Sequence, residues 1–404
     1  MPDRDENRTY DVAIVGMGPA GASAAAAMSR EGLAVIGFDK DRHPRYKVCG
    51  GGLSARVAHL LNPEFLSIVE HTVNGVQFVY RGQDPIVIKS SQPIAYMVMR
   101  DRFDHYLLQQ AVHAGAEIRN GEAVVAVRQE SDSVEVATER RRYRAKVLIG
   151  ADGANSLVAR HLFPHRSLHR SPALESEVPI GTGRHYPDTS TILVDVGAAH
   201  RGYGWIFPKQ QCLSVGVGEF RRKSSSLRRT FERFVQGEPG LTGQSVPRPM
   251  GHPIPAFSET ENVDARSDDA VSPFVAGRAL LVGDAGHLVD PLFGEGIYYA
   301  VRSGQMAARA ILSHAGDHRR SMAVYEAALN RDIVPDFQVT ARIARVLYAF
   351  PRLGFKLLRR YKDVVQSYYS VLQGHTSPEQ FLADAKHRLK VSVNDLLFEA
   401  LHLR

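Results

Sequence analysis

A glycine pattern near the start of the chain has the spacing of a diphosphate-binding turn. Residues 16–21 read G-x-G-x-x-G and lie between an apolar run and an alanine-rich segment. Gly16 permits a tight turn, Gly18 lets a pyrophosphate approach the backbone, and Gly21 lets the following helix pack against the strand. Amides at the helix N-terminus then favour the negative charge of a phosphate. The pattern predicts a dinucleotide-binding turn, with Ala20 among its contacts.

A carboxylate follows at the spacing expected for a nucleoside. Asp39 stands 23 residues after Gly16, at the end of a second apolar run. There it can accept hydrogen bonds from ribose hydroxyls, and it disfavours a ribose that carries a 2′-phosphate. Lys40, the next residue, is a further candidate contact. The site therefore favours FAD or NAD over NADP.

Two later motifs each place an aspartate directly after an apolar run. Asp152 follows the run K-V-L-I-G, and Asp284 follows the run A-L-L-V-G. Ligands of α/β proteins bind at the carboxyl ends of the strands, so both carboxylates are candidate cofactor contacts. Asp284 is suited to accept hydrogen bonds from the ribityl chain of a flavin. Asp152 could instead be a turn residue that caps a helix.

A fourth segment, G-E-G-I, opens a helical pattern shortly afterwards. Gly294, Gly296 and Ile297 would direct backbone amides at the pyrimidine ring of a flavin and stabilise negative charge on its reduced form. Taken with the two aspartate motifs, this segment selects FAD as the cofactor.

The hydrophobic periodicity predicts the elements that position these motifs. Buried strands are expected at 11–15, 35–38, 146–150 and 279–283, with a helix over 20–30. Segments that alternate or run short between Gly, Pro and Asp predict antiparallel strands at 73–80, 123–127 and 213–217. From about Gly294 onward the pattern is helical.

These elements indicate an α/β protein. We expect a Rossmann-type FAD-binding domain with an inserted antiparallel-sheet substrate domain and a helical C-terminal part. The expected boundaries are 1–70, 100–170 and 270–320 for the discontinuous FAD-binding domain, 71–99 and 171–269 for the substrate domain, and 321–404 for the C-terminal domain.

Composition excludes several classes of protein. The 404 residues are 44% hydrophobic and 23% charged, and none of the apolar runs reaches the roughly 18 residues of a membrane-spanning helix. The charged N-terminus does not resemble a secretory signal. The net charge is +7 without a nucleic-acid-binding motif, so no nucleic-acid partner is expected. Two cysteines, Cys49 and Cys212, argue against a disulfide scaffold and predict a reducing compartment. No metal site is expected. We expect a cytoplasmic protein.

The order of the motifs resembles a flavoprotein group that includes aromatic hydroxylases, flavin-dependent halogenases and geranylgeranyl reductases. Arg100 stands where that group has an arginine that contacts the cofactor. Two segments resemble the geranylgeranyl reductase family in particular: P-R-Y-K-V-C-G-G-G-L at 44–53 and Y-G-W-I-F-P at 203–208. The resemblance covers about the first 310 residues.

The two segments suggest roles for their residues. Three consecutive glycines remove side-chain bulk, so the backbone could approach a flat ring, and Cys49, Gly50 and Gly51 are expected beside the flavin. Alternate residues of a strand share a face. Tyr203, Trp205 and Phe207 are therefore expected to line an apolar substrate channel. The candidate catalytic residues are Cys49, Tyr203 and Trp205.

Two departures keep other functions open. His200 stands where the family often has proline, and His287 stands where aromatic hydroxylases also have histidine. An FAD-dependent aromatic hydroxylase is therefore an alternative, whereas a halogenase would need a catalytic lysine that has no clear counterpart. A flavin electron carrier or quinone reductase is the alternative from another class, although two cysteines are too few for a Cys₄ iron–sulfur cluster.

The resemblance implies an FAD-dependent reductase that saturates C=C bonds of a polyprenyl, geranylgeranyl-type lipid by hydride transfer from reduced flavin. The expected partners are the apolar polyprenyl substrate and an electron donor, NAD(P)H or ferredoxin. Residues 342–362 hold seven Lys or Arg, no acidic residue and an apolar stripe at helical spacing. We expect two short helices there, separated around Pro351 and Gly354, and peripheral contact with the inner face of the membrane.

Overall fold

The computed structural model describes residues 8–165, 170–180, 188–220, 226–258 and 272–389. The chain divides into two compact units, and each is built from three stretches of sequence. The first unit comprises Met1–Lys47, Arg100–Arg170 and Ile254–Val334. The second comprises Val48–Met99, Ser171–Pro253 and Pro335–Arg404.

The described strands and α-helices are as follows. The strands are β1 Thr9–Val15, β2 Val35–Asp39, β3 Gly52–Ser54, β4 Val69–Val73, β5 Gly75–Tyr80, β6 Gln83–Lys89, β7 Ala95–Val98, β8 Glu117–Asn120, β9 Val124–Gln129, β10 Val134–Thr138, β11 Arg142–Gly150, β12 Ser171–Pro179, β13 Thr191–Asp195, β14 Gly202–Pro208, β15 Cys212–Glu219, β16 Met250–Ile254, β17 Val275–Ala276 and β18 Ala279–Leu281. The helices are α1 Pro19–Arg30, α2 Arg100–His113, α3 Leu157–Leu162, α4 Leu227–Gly237, α5 Ile297–Ser313, α6 His318–Asp332, α7 Val334–Ala349, α8 Pro351–Arg360, α9 Lys362–Leu372 and α10 Pro378–Leu389.

The first unit is built on an eight-stranded sheet. Its strand order is β17-β18-β11-β1-β2-β8, and β10 and β9 extend from β11 as an antiparallel pair. The strands from β18 to β8 run parallel. β1 is apolar and buried because helices cover both faces of such sheets. A Rossmann-type α/β unit is thus confirmed.

The three strands that carry the motifs lie side by side. In the register, Val15 of β1 is opposite Gly150 of β11, and Gly150 is opposite Leu281 of β18. The carboxyl ends of these strands therefore meet at one edge of the sheet, as the sequence predicted. α1 and α5 pack closely over it, since a Cβ on Gly304 would collide with the carbonyl oxygen of Ala20.

The second unit contains a seven-stranded sheet and a three-stranded sheet. The large sheet has the order β16-β12-β15-β14-β13-β5-β6, and the small one has the order β3-β7-β4. One face of the large sheet forms a core with α4, in which Ile206 and Val215 pack with Phe231 and Phe234. The residues that alternate with these point to the opposite face.

Several element boundaries differ from the expected ones. Asn74 divides the expected strand at 73–80 into the end of β4 and β5. Pro351 begins a new helix as expected, but Gly354 lies inside α8 and another helix begins at Lys362. None of the described helices has the length and apolar character needed to cross a bilayer.

The compact units also group the chain differently from the expected domains. Residues 48–70 and 335–404 belong to the second unit, and 321–334 belong to the first. Hydrogen bonds account for part of this grouping, because Tyr369 in α9 donates to the carbonyl oxygen of Ile88 in β6 at 2.8 Å. The expected boundary between residues 269 and 270 lies outside the described residues.

Candidate functional site

The G-x-G-x-x-G turn joins β1 to α1, and the fold itself requires two of its glycines. Gly16 has a left-handed φ of +95°, and a Cβ there would collide with the carbonyl oxygen of Ala151. A Cβ on Gly21 would collide with the carbonyl oxygen of Gly16. A Cβ on Gly18 would lie 3.8 Å from Nη2 of Arg45, its nearest neighbour among the described residues. The turn thus leaves open space at Gly18, where the sequence predicts the approach of a pyrophosphate.

Asp39 ends β2, and its carboxylate also organises the turn. It accepts hydrogen bonds from the amides of Met17 at 2.9 Å and Asp41 at 3.0 Å, and it lies 3.2 Å from Nε2 of His43. Burial would raise the pKa of Asp39, but these contacts outweigh it and lower the pKa. The carboxylate is therefore ionised at neutral pH. Lys40 beside it is exposed.

Two arginines share one buried carboxylate in the first unit. Asp104 is 0% exposed and accepts hydrogen bonds from Arg100 at 2.8 and 2.9 Å and from Nη2 of Arg45 at 3.0 Å. This contact holds the Arg45 guanidinium near Gly18. The sequence predicted a role for Arg100, but the roles of Asp104 and Arg45 were missed. The Arg100–Asp104 spacing of four residues on α2 was the signal that could have found one of them.

Asp152 and Asp284 differ in how the protein uses them. Asp152 accepts hydrogen bonds from the amides of Leu157 at 2.6 Å and Val158 at 3.2 Å and from the hydroxyl of Ser156 at 2.5 Å. Burial raises its pKa in spite of these bonds. Its carboxylate thus stabilises the start of α3, the capping role weighed from the sequence. The carboxylate of Asp284 is half-buried and accepts no hydrogen bond from the residues that the structure describes.

The segment before α5 is built as the sequence predicted. Gly294 has a left-handed φ of +66°, Gly296 caps the helix, and Ile297 is its first residue. A Cβ on Gly296 would lie 3.2 Å from Oδ1 of Asp284. The positive end of the α5 macrodipole therefore lies beside a half-buried carboxylate at the strand edge.

In the second unit, the triple glycine packs on aromatic rings. A Cβ on Gly50 would lie 3.0 Å from the ring of Phe207 and 3.3 Å from Nε1 of Trp205. Gly51 has a left-handed φ of +68°, and a Cβ there would collide with the carbonyl oxygen of Val98. Flat rings of the protein itself therefore account for part of the glycine run. Cys49 is half-buried and free, and its contact with a flavin stays a prediction.

Tyr203, Trp205 and Phe207 share one face of β14, as expected. The ring centroids of Tyr203 and Trp205 lie 5.9 Å apart, and those of Trp205 and Phe207 lie 6.3 Å apart. Two residues that the sequence reasoning missed complete the group. Phe220 stacks on Tyr348 of α7 at 5.1 Å, and Tyr203 lies 5.9 Å from Phe220. We call these five residues the aromatic wall.

The comparisons with known proteins agree with this arrangement. The model of the FAD binding domain family matches residues 9–326. A geranylgeranyl diphosphate reductase of Rhodobacter capsulatus is 31% identical over 75% of this chain and 75% of its own length. The chain belongs to the geranylgeranyl reductase family of FAD-dependent oxidoreductases. FAD is therefore its cofactor, as the sequence predicted.

Further relatives extend the comparison of this geranylgeranyl reductase family member. A menaquinone reductase of Mycobacterium tuberculosis is 30% identical over 85% of each chain. The crystal structure of a geranylgeranyl bacteriochlorophyll reductase-like protein from Thermoplasma acidophilum has a TM-score of 0.71 and 22% identity. It covers 96% of this chain and 95% of its own. That likeness establishes the fold.

The residues of the first unit fit FAD. Gly18 has open space where a pyrophosphate would fit, the positive charge of Arg45 lies beside that space, and Asp39 is an ionised acceptor at the end of β2. Asp284 and the start of α5 offer an acceptor and a positive helix end. The individual contacts with FAD remain predictions.

The two aspartates can be separated by their effects on FAD. We expect Asp284→Ala to weaken FAD binding at least about tenfold, which is about 1.4 kcal/mol, with little change in melting temperature. Asp152→Asn serves as the control. It keeps an oxygen for the α3 amides, so it should retain FAD. Titration of apoprotein with FAD and thermal unfolding measure both properties. Equal FAD affinity in the two variants would contradict the proposed contact of Asp284.

Proposed function

We propose that this enzyme saturates C=C bonds of a polyprenyl lipid of the geranylgeranyl type. The observation that carries the proposal is the aromatic wall, whose three β14 rings lie on the face of the large sheet opposite its core. Reduced FAD supplies the hydride for such a reaction. The protein's part is to bind the apolar chain, orient one double bond and exclude water.

The aromatic wall suits an isoprenoid chain. Tyr203 and Trp205 are both 7% exposed, and neighbouring positions on β15 are small, since a Cβ on Gly216 would collide with the indole of Trp205. Burying apolar surface contributes about 25 cal/mol per Å², so a long chain gains substantially from such a face. We propose that Tyr203, Trp205 and Phe207 contact the chain and that Cys49 lies near its reacting part.

The names of the relatives support the same substrate class. One relative is named for geranylgeranyl diphosphate and another for menaquinone, a quinone that carries a polyprenyl side chain. A polyprenyl chain is the chemical feature that these two molecules share. The proposal therefore concerns the prenyl chain and leaves the head group to be determined by experiment.

The C-terminal helices suit contact with an anionic membrane surface. Three basic residues of α8 are exposed: Arg352, Lys356 and Arg359. Near the junction of α7 and α8, the apolar residues Val346 and Phe350 are 42% and 44% exposed. Exposed basic and apolar side chains together favour the interface of an anionic bilayer. We propose that this region brings the enzyme to its lipid substrate. The proposed electron donor is NAD(P)H or ferredoxin.

Anaerobic turnover tests the proposed function. The reduced holoenzyme is incubated with geranylgeranyl diphosphate and with prenylated lipids in vesicles, with and without anionic phospholipid, and the products are weighed by mass spectrometry. We expect a gain of two mass units for each bond reduced, with oxidation of the flavin, and faster reaction in anionic vesicles.

Other outcomes point elsewhere. A product that contains added oxygen and forms only in air would identify an aromatic hydroxylase. Oxidation of the flavin by a quinone whose side chain keeps its mass would identify an electron carrier or quinone reductase. Either result would overturn the proposal.

A further inference from the structure

A carboxylic acid lies behind the aromatic wall, on the same face of the sheet. Glu175 of β12 is opposite Gly216 of β15, which is opposite Trp205 of β14. Nε1 of Trp205 donates to the hydroxyl of Ser214 at 3.3 Å, and that hydroxyl donates to Oε1 of Glu175 at 2.5 Å. Glu175 is therefore linked to the aromatic wall by two consecutive hydrogen bonds.

Two polar atoms in this cluster are buried with no hydrogen-bond partner at normal distance among the described residues. One is Oε2 of Glu175, which is 2% exposed and which the Cys49 amide approaches closely enough to favour its carboxylate form. The other is Nζ of Lys209, which follows β14 and is 1% exposed. The nearest acidic oxygen to that Nζ is Oε1 of Glu177, at 4.0 Å. Burying polar atoms without partners costs stability, so their presence is typical of a site that binds a ligand or takes part in a reaction.

Lys209 lies against the triple glycine, and Glu175 lies beside the amide of Cys49, the residue before it. Nζ of Lys209 is 3.3 Å from the position that a Cβ on Gly51 would take. Burial raises the pKa of Glu175, while the Lys209 charge, the Ser214 hydroxyl and the Cys49 amide oppose this rise. Glu175 therefore keeps its proton to a higher pH than an exposed glutamate does.

The other titratable groups that face this cluster do not replace Glu175 as an acid. Glu177 raises the pKa of Glu175 further. Cys212 interacts with Lys209, Glu177 and Glu70, and burial raises the pKa of its thiol to about 11. A thiol of that pKa is a weak proton donor at neutral pH.

We propose that Glu175 is the proton donor of the reduction and that the positive charge of Lys209 stabilises the carboxylate that remains. The proposal rests on the proposed function, because saturation of a C=C bond needs a proton as well as a hydride. One alkene carbon receives the hydride that reduced FAD supplies, and the other receives the proton of the Glu175 carboxyl group. The C=C bond becomes a C–C bond with two new C–H bonds, and the flavin is oxidised. The Glu175 carboxylate is stabilised by the Lys209 charge and regains a proton from solvent before the next turnover.

A single-turnover experiment tests the proton donor. Anaerobic reduced holoenzyme is mixed with the prenyl lipid or with ferricyanide, and flavin oxidation is followed. Glu175→Gln should slow oxidation by the lipid about 100-fold or more, as loss of a general acid does. Oxidation by ferricyanide needs no C–H bond, so it should change less than about threefold.

Glu238→Gln is the matched control. Glu238 is also a buried glutamate of the second unit whose pKa burial raises, but it caps a turn by accepting from the amide of Gly240 at 3.3 Å. The Glu238→Gln variant should oxidise its flavin with the lipid and with ferricyanide at the wild-type rates. In the wild type, the lipid rate should fall as pH rises through the raised pKa of Glu175, because the acid form reacts.

The only tryptophan of the chain gives a second readout that does not depend on activity. Trp205 is that tryptophan, and it reports on Glu175 through Ser214. Its emission should titrate in the wild type over the pH range of the lipid rate and should not titrate in Glu175→Gln. If that variant does not fold, the wild-type pH profiles of the lipid rate and of the tryptophan emission still test the proposal, because they should change over the same pH range.

The outcomes separate the two proposals. A wild type that reduces prenyl lipid while Glu175→Gln is equally fast, or a tryptophan emission that does not titrate, overturns the role of Glu175. A wild type that reduces no prenyl lipid overturns the proposed function instead, even if the emission titrates.

Discussion

A Gly18→Val variant should purify as a folded, colourless protein. The described structure has room for a side chain at Gly18, since the nearest neighbour of a Cβ is Nη2 of Arg45 at 3.8 Å. The side chain would instead occupy the space that we propose for the pyrophosphate of FAD. We expect FAD affinity to fall at least about 100-fold, which is about 2.7 kcal/mol. Flavin absorbance per protein and FAD titration of the apoprotein measure the loss.

Gly21→Val provides the contrast. A Cβ there would collide with the carbonyl oxygen of Gly16, so this variant should lose stability as well as cofactor. Thermal unfolding of the two apoproteins distinguishes the effects. The assignment of Gly18 would fail if Gly18→Val bound FAD like the wild type.

Trp205→Ala should impair the reaction with prenyl lipid while flavin content stays near that of the wild type. The substitution removes the central ring of the aromatic wall, whose neighbours Tyr203 and Phe207 lie 5.9 and 6.3 Å away. Aromatic residues at the centre of a binding surface often contribute 2 kcal/mol or more. We therefore expect kcat/KM for the lipid to fall about 10- to 100-fold.

Trp205→Phe is the matched variant, because it keeps a flat ring but loses the indole hydrogen bond to Ser214. It should recover most of the lost kcat/KM. Loss of FAD or failure to fold in Trp205→Ala would instead show that β14 is simply an aromatic core strand.

The cofactor half of the molecule could be predicted because its signals are local. Each of its motifs couples an apolar strand to a turn within a few residues, and the parallel pairing of β1, β11 and β18 then brings the motifs to one edge. Glycine in these motifs also indicates backbone conformation, since Gly16 and Gly294 adopt left-handed φ angles that favour glycine.

The rest of the site depends on pairs that local patterns do not specify. Asp104 meets Arg45 from 59 residues away, and Glu175 meets Ser214 from 39 residues away. A buried carboxylate in the sequence looks the same whether it binds a ligand, an arginine or a hydroxyl. Asp152 shows the converse, because its spacing suits a cofactor while its carboxylate stabilises α3.

The three-segment construction of the first unit has a consequence for synthesis on the ribosome. α1 cannot complete its packing until Gly304 of α5 reaches Ala20, some 280 residues later in the chain. Likewise, β11 lacks its outer parallel neighbour until β18 has been made. Contacts between such distant segments slow folding, and the incomplete sheet exposes apolar strands in the meantime. The nascent chain is therefore most prone to aggregate, and most in need of a chaperone, after β11 has been made and before β18 and α5 have followed.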